Sequence, residues 1–312
     1  MEDYYALPLA AEAPLKIGIA GTGRMGSAVA VRLLGLGHEL TVWNRTREKM
    51  AVLAAAGAVV AATPSELATR SEIVITLLTD AAAIDAMYHS ADGLLAGDVR
   101  RKLFIDMSTV RPETEVALAA KVKAKGAAFI ECPVGGTIGP AKEGKLLGFV
   151  GGEAGEVARA KPVLDHLCRR VEHVGAVGAG ASMKLAINLP LLVYWQALGE
   201  ALSLCQPLGI DATRLMDIFA DTSGAPNMLK GRGPSIAATL QGKETTPVTV
   251  DIDTIRKDLR TMVEEARAMS RTLPLTARAL ECFDDAVKEG WGARDVTMFP
   301  VRWLQRAGLS RP

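Results

Sequence analysis

The stretch from Leu15 to Gly37, LKIGIAGTGRMGSAVAVRLLGLG, restricts the fold of this chain more than any other. It opens on Leu15-Lys16-Ile17-Gly18-Ile19-Ala20, an apolar run short enough for a buried parallel strand. Gly21, Gly23 and Gly26 follow as G-x-G-x-x-G. Met25, Val29, Leu33 and Leu36 then recur at helical spacing up to Gly37, a natural stop. A strand, a glycine turn and a helix in immediate succession predict a dinucleotide-binding unit. Gly21 permits the tight turn, Gly23 lets the backbone approach a pyrophosphate, and Gly26 brings the helix close to the strand. The free N–H groups of the helix start then face the phosphates. Thr22, Arg24 and Met25 belong to the same turn and join the three glycines as candidate cofactor-binding residues.

The alternation of strand and helix continues. Glu39–Trp43 reads as a second strand, Arg47–Ala56 as a helix, and Ala58–Ala61 as a short strand. Thr63-Pro64-Ser65-Glu66 has the form of a helix N-cap with Pro at the first helical position. Glu72–Leu78 is a fourth strand, Ala81–His89 a helix and Lys102–Asp106 a strand; Lys145–Val150, Glu153–Leu167 and Val171–Val174 extend the series. This order predicts an α/β fold with a doubly wound parallel sheet of the Rossmann type. From about Gly180 strand signals vanish, and helices are predicted over Ser182–Leu208, Asp211–Asp221, Thr254–Ser270 and Pro274–Glu289. The expected organisation is an N-terminal extension over 1–14, a cofactor-binding domain over 15–177, and an all-α domain over 178–312 entered through a long interdomain helix. Pro190 should kink that helix unless the local geometry adapts.

Bulk properties narrow the class. A chain of 312 residues has room for about two domains, and 49% hydrophobic with 23% charged residues is ordinary for a globular enzyme. A net charge of +1 points to neither a nucleic-acid nor a membrane partner. The apolar runs are interrupted short of the ~20 residues that a membrane helix needs. Cys132, Cys168, Cys205 and Cys282 contain no C-x-x-C pair, and His38, His89, His166 and His173 lack metal-ligand spacing. The expectation is a cytoplasmic protein with reduced thiols and no metal. The first 14 residues, with Glu2, Asp3 and Glu12, have neither the basic start nor the long apolar core of a secretory signal.

Four segments carry the chemistry. Asn44-Arg45-Thr46 ends the second strand, where an acidic side chain would bind ribose hydroxyls and repel a 2′-phosphate. A guanidinium and two short polar groups suit a phosphate monoester, so NADP(H) is expected in preference to NAD(H), which stays possible. Ser108 and Thr109 place hydroxyls beside the free N–H groups of the next helix, a plausible anion contact. Glu131–Gly144, with four glycines and two prolines, is expected to be a backbone-lined loop suited to a carboxylate. Lys184 and Asn188 share one face of the long apolar helix, about 6 Å apart along its axis. Burial there would lower the lysine pKa and make it a usable proton donor and acceptor near neutrality.

In order along the chain, GTGRMG, the D-x-S-T-x-x-P segment, the P-V-x-G…G-P-A-x-x-G loop, the G-x-G-x-x-x-K-x-x-x-N helix and Lys257-Asp258-Leu259 resemble the β-hydroxyacid dehydrogenase family. That family includes 3-hydroxyisobutyrate dehydrogenases and glyoxylate/succinic semialdehyde reductases. The VWNRT and G-A-S-M-K-L runs look most like its NADPH-using aldehyde-reductase branch. The resemblance spans roughly residues 15–300 and implies Lys184 as catalytic acid/base, with Asn188 its partner at the substrate oxygen. It implies that Ser108, Gly135, Gly136 and Thr137 hold a substrate carboxylate, that Leu78, Thr79 and Thr109 line the nicotinamide ribose, and that Lys257 closes over the cofactor. The substrate class it implies is a small carbonyl or hydroxy acid. Two positions depart from the family pattern: Gly135 stands where a serine is usual, and Ile187 replaces the first of two adjacent asparagines. Imine reduction and a non-catalytic cofactor-binding scaffold are the competing readings, and Lys184 argues against both. The apolar helix 182–208 further predicts a homodimer or homotetramer.

Overall fold

A computed structural model describes residues 13–243 and 247–309. The chain runs β1 (Lys16–Ala20), α1 (Arg24–Gly35), β2 (Glu39–Trp43), a 3₁₀ turn, α2 (Ala51–Ala55), β3 (Val59–Val60), α3 (Pro64–Arg70), β4 (Ile73–Thr76), α4 (Ala81–His89), β5 (Leu103–Asp106), α5 (Pro112–Ala124) and β6 (Ala128–Glu131). These six strands pair in parallel in the order β3-β2-β1-β4-β5-β6. Alternate residues serve the two faces. Ile17, Ile19, Ile75, Ile105 and Ile130 pack on one side with Val29 and Leu33 of α1, while Val74, Phe104 and Phe129 pack on the other with Leu67 and Leu118. Near-continuous apolar strands are what a sheet covered on both faces requires.

The sheet then departs from the fully parallel expectation. β7 (Val134–Gly135) and α6 (Ile138–Glu143) lie within the glycine-rich segment expected to be a loop, and Gly144 at φ +69° ends the helix after six residues. No full crossover helix intervenes, so β8 (Leu146–Gly151) returns antiparallel to both β6 and β7. α7 (Ala154–Leu167) then supplies a crossover, and β9 (Cys168–Gly175) pairs parallel to β8.

The rest is helical: α8 (Ala179–Cys205), α9 (Ala212–Ala220), α10 (Asn227–Leu240), α11 (Ile252–Ala268), α12 (Pro274–Lys288) and α13 (Phe299–Leu309). A separate core of Leu185, Trp195, Leu198, Leu259, Phe283 and Phe299 holds these helices together. The family of helices is larger than the sequence suggests. α10 carries Gly231, Gly233 and Pro234 in its interior, so its propensity is poor, and it exists because Leu229, Ile236 and Ala237 are buried.

Several local expectations need adjustment. Leu36 caps α1 and is exposed rather than packed, with the chain turned by Gly37 at φ +86°. The helix expected over 47–56 is split between a 3₁₀ turn and α2. Thr63 caps α3 as expected, accepting from Glu66 N at 3.1 Å. The long helix starts at Ala179, ahead of Ser182, and is continuous through Pro190. With its 3₁₀ extension to Leu208 it is long and apolar enough to cross a membrane, contrary to the expectation from its interrupted runs. It packs against α5, α11, α12, α13, β8 and β9, with only part of its surface buried.

Candidate active site

A cleft of about 1030 Å³ opens between the carboxyl ends of the sheet strands and the helical domain. Open parallel sheets place ligands at that edge. One wall is the turn after β1. Gly21 sits at φ +99°, and a Cβ there would stand 2.4 Å from Leu77 O. A Cβ on Gly26 would stand 2.0 Å from Gly21 O, so α1 approaches the turn only because position 26 is glycine. Gly23 has no atom within 4 Å of where its Cβ would be, and it faces the cleft with Arg24, Met25 and Gly26. The buried Thr22 Oγ1 has no hydrogen-bond partner among the described residues. Bare glycine backbone, the unpaired first-turn N–H groups of α1 and an orphan hydroxyl fit a pyrophosphate.

The other cofactor candidates divide. Leu78, Thr79 and Thr109 line the cleft, and Thr109 O accepts from Lys257 Nζ at 2.8 Å, joining α11 to the end of β5. Asn44, Arg45 and Thr46 lie outside it, at the end of β2. Asn44 is spent on shape: its Oδ1 accepts from Thr22 N at 3.1 Å, and its Nδ2 donates to Thr46 O at 3.0 Å. Arg45 is exposed beside this turn. Arg24 reaches across the cleft to pair with Asp251, the N-cap of α11.

The substrate candidates divide as well. Ser108 lines the cleft and is buried; its Oγ accepts from Leu78 N at 2.9 Å, so it also ties the ends of β4 and β5 together while its hydroxyl can still donate. Gly136 and Thr137 face the cleft, whereas Gly135 lies in β7 against Leu147 and Phe149 and does not line it. A Cβ at Gly135 would meet nothing closer than 3.7 Å, so packing does not impose the glycine.

Lys184 and Asn188 form the floor. Lys184 is 8% exposed, and its Nζ donates to Asn188 Oδ1 at 3.0 Å. The lysine is buried and does not reach for the surface. That leaves the Asn188 amide N–H groups to face the cleft. Burial lowers the Lys184 pKa from 10.5 to about 8; the carboxylate of Asp258 opposes the fall and the ammonium of Lys257 assists it. Asp258 is itself buried, with Oδ1 2.5 Å from Lys257 Nζ but outside hydrogen-bonding geometry.

Acidic groups at the strand ends hold this floor in place. Thr76, Asp106 and Glu131 end three adjacent strands in register. Glu131 accepts from Gly178 N, from Gly180 N at 2.9 Å and from Ala181 N at 3.1 Å, which satisfies the first turn of α8. That carboxylate explains why the helix begins at Ala179 in a Gly-Ala-Gly segment of low propensity. A Cβ on Gly180 would stand 2.4 Å from Phe149 O and 3.2 Å from Glu131 Cδ, so the glycine lets helix and strands lie close. Burial raises the Glu131 pKa to about 7 against these donors. The available signal was an acidic residue closing each of two apolar strands, LFID and AFIE.

Comparison with known proteins bears on the fold and the family. The profile of the NAD binding domain of 6-phosphogluconate dehydrogenase matches residues 16–175, and that of the NAD-binding domain of NADP-dependent 3-hydroxyisobutyrate dehydrogenase matches 178–301. Glyoxylate/succinic semialdehyde reductase 1 of Arabidopsis thaliana is 32% identical over 90% of this chain and 96% of its own length. The mitochondrial 3-hydroxyisobutyrate dehydrogenase of Drosophila melanogaster is 32% identical over 90% of this chain and 87% of its own. The solved structure of Psf3 in complex with NADP+ and 2-OPP superposes with a TM-score of 0.81 at 28% identity, covering 92% of this chain and 99% of that one. With its nucleotide-binding sheet, its helical domain and these relatives, the chain belongs to the β-hydroxyacid dehydrogenase family and is an NAD(P)-dependent oxidoreductase acting on CH–OH groups.

Proposed function

We propose that the protein reduces a small aldehyde acid to its hydroxy acid with NADPH, or runs the reverse reaction with NADP+, and that Lys184 is the acid/base. The observation that carries this reading is a buried lysine with a pKa near 8, hydrogen-bonded to Asn188 on the floor of the cleft. The bound nicotinamide would supply or accept the hydride. In reduction the carbonyl oxygen gains negative charge, and the Lys184 ammonium is placed to give it a proton. In oxidation the neutral amine takes the proton from the hydroxyl. The Asn188 N–H groups hold the same oxygen, while Gly136 N–H and the Thr137 hydroxyl orient the carboxylate. Thr137 makes no capping bond to α6, so its hydroxyl is available.

Preference for NADP(H) rests on Arg45 and on the absence of a carboxylate at the end of β2. Assembly into a homodimer or homotetramer rests on α8, which leaves Met183, Ile187 and Leu204 exposed beside its buried face. Four free thiols fit a reducing compartment such as the cytoplasm. The test is NADPH-linked turnover of glyoxylate, succinic semialdehyde and a preformed imine by the parent and by Lys184→Ala. General acid–base catalysis contributes roughly 10²–10⁴ in rate, so kcat on the best carbonyl acid should fall by about that factor. Lys184→Arg should not rescue it, because a guanidinium stays protonated. Near-parental kcat in Lys184→Ala, or activity confined to the imine, would overturn the assignment.

A further inference from the structure

Among the cationic side chains that line the cleft, Arg232 has no role in the chemistry above. Arg232 projects from α10 into the cleft wall, and its side chain is only 20% exposed. Its Cζ lies 5.9 Å from the centre of the Trp195 ring, and Nη1 lies 3.7 Å from Asp295 Oδ1, too far for a hydrogen bond. Asp295 is already satisfied. Its Oδ1 accepts from Thr297 N at 3.0 Å and from Thr297 Oγ1 at 2.9 Å; its Oδ2 accepts from Thr249 N at 2.7 Å and from Thr249 Oγ1 at 2.8 Å. The guanidinium therefore feels a fixed negative charge behind it but donates no hydrogen bond to any described residue. A half-buried guanidinium on a cleft wall, whose neighbouring carboxylate accepts none of its hydrogen bonds, keeps its donors free for an anion entering the cleft. Burial accordingly holds its pKa below the ordinary arginine range, against the pull of Asp295.

Position identifies what completes it. Lys184, Asn188 and Trp195 fall at i, i+4 and i+11 on one face of α8, which puts the Trp195 level about 10 Å beyond Asn188 along the axis. Leu191 and Leu192 line the cleft between them. A substrate held with its reacting carbon at Lys184 and Asn188 would lay its remaining chain over these leucines and end at Arg232. We propose that Arg232 binds a second anionic group of the substrate, so that the favoured substrates are hydroxy or oxo acids carrying a further carboxylate beyond a short aliphatic spacer. This rests on reading the cleft as the site of a small hydroxy or oxo acid. Planar bidentate pairing of guanidinium with carboxylate gives the selectivity.

Two measurements test it. Calorimetry on the NADP+-saturated protein compares glutarate with glutaramate, which has the same shape and one charge fewer. Glutarate should bind the parent about tenfold or more tightly than glutaramate. Arg232→Gln should abolish that difference by weakening glutarate alone, and Arg232→Lys should restore part of it; unaltered NADP+ affinity in both variants shows that they are folded. Kinetics with 2-(hydroxymethyl)glutarate and its 5-amide should show the same preference carried in KM, with kcat kept. Equal affinity of the two ligands for the parent, equal losses in Arg232→Gln, or no binding of either ligand would overturn the subsite. Selective glutarate binding without turnover of either hydroxy acid would leave the subsite standing and remove the reductase reading instead.

Discussion

Replacing Lys184 with methionine should stabilise the fold while removing the chemistry, and the size of the gain follows from its surroundings. Burial brings the Lys184 pKa from 10.5 to about 8. At ~1.4 kcal/mol per pH unit, the folded state disfavours the ammonium by about 3 kcal/mol relative to the unfolded chain. The folded pKa is depressed, so the unfolded chain binds more protons between about 8 and 10.5, and stability rises with pH across that window. Below about 8 the penalty is present in full; above 10.5 it is gone. Methionine keeps most of the side-chain volume and carries no charge. It leaves Asn188 Oδ1 without its donor, a loss of about 1 kcal/mol because cleft water can replace the bond. The expected net gain is about 2 kcal/mol at pH 7, falling to zero or below near pH 10.5. Urea unfolding of parent and Lys184→Met at one protein concentration, at pH 7 and again at pH 10.5, measures it, since fixed concentration removes any contribution from assembly. A variant no more stable than the parent at pH 7, or a gain of equal size at both pH values, would refute the claim that the lysine is held charged against its environment. The same ionisation should appear in catalysis, with reductive kcat falling as pH rises through about 8.

Three further outcomes are expected. Arg45→Ala should weaken NADPH binding by roughly 1–3 kcal/mol, the scale of a charge-assisted hydrogen bond, with little effect on NADH, as measured by KM for the two cofactors; equal kinetics with both in the parent would refute the cofactor preference. Glu131→Ala should strand three N–H groups at the buried start of α8 and cost about 3 kcal/mol or more, read by urea denaturation; a loss under about 1 kcal/mol would mean that the helix does not depend on this carboxylate. Sedimentation at micromolar protein should give a dimer or tetramer, and substitution of exposed Ile187 and Leu204 by Glu should dissociate it; a monomeric parent would refute the assembly.

The nucleotide-binding half was legible in the sequence because its determinants are local. A strand that must be apolar on both faces, a turn that needs positive φ at Gly21 and a helix that tolerates no Cβ at Gly26 each leave a mark within a dozen residues. Lys184 and Asn188 were legible for the same reason, since helical spacing alone puts them on one face. Tertiary structure decided the rest. Only the folded molecule spends Ser108 on Leu78 N, Asn44 on Thr22 N and Arg24 on Asp251, because those partners lie 22 to 227 residues away. Only packing turns the glycine-rich 132–144 segment into a strand and a helix, and only packing makes α10 a helix despite Gly231, Gly233 and Pro234. The start of α8 is the sharpest case. Its local sequence argues for a later helix, and a carboxylate from a strand 47 residues earlier supplies the hydrogen bonds that move it forward. Backbone geometry and side-chain periodicity act over a few residues and can be read along a chain, whereas satisfying a buried donor or burying a charge depends on groups that only folding brings together.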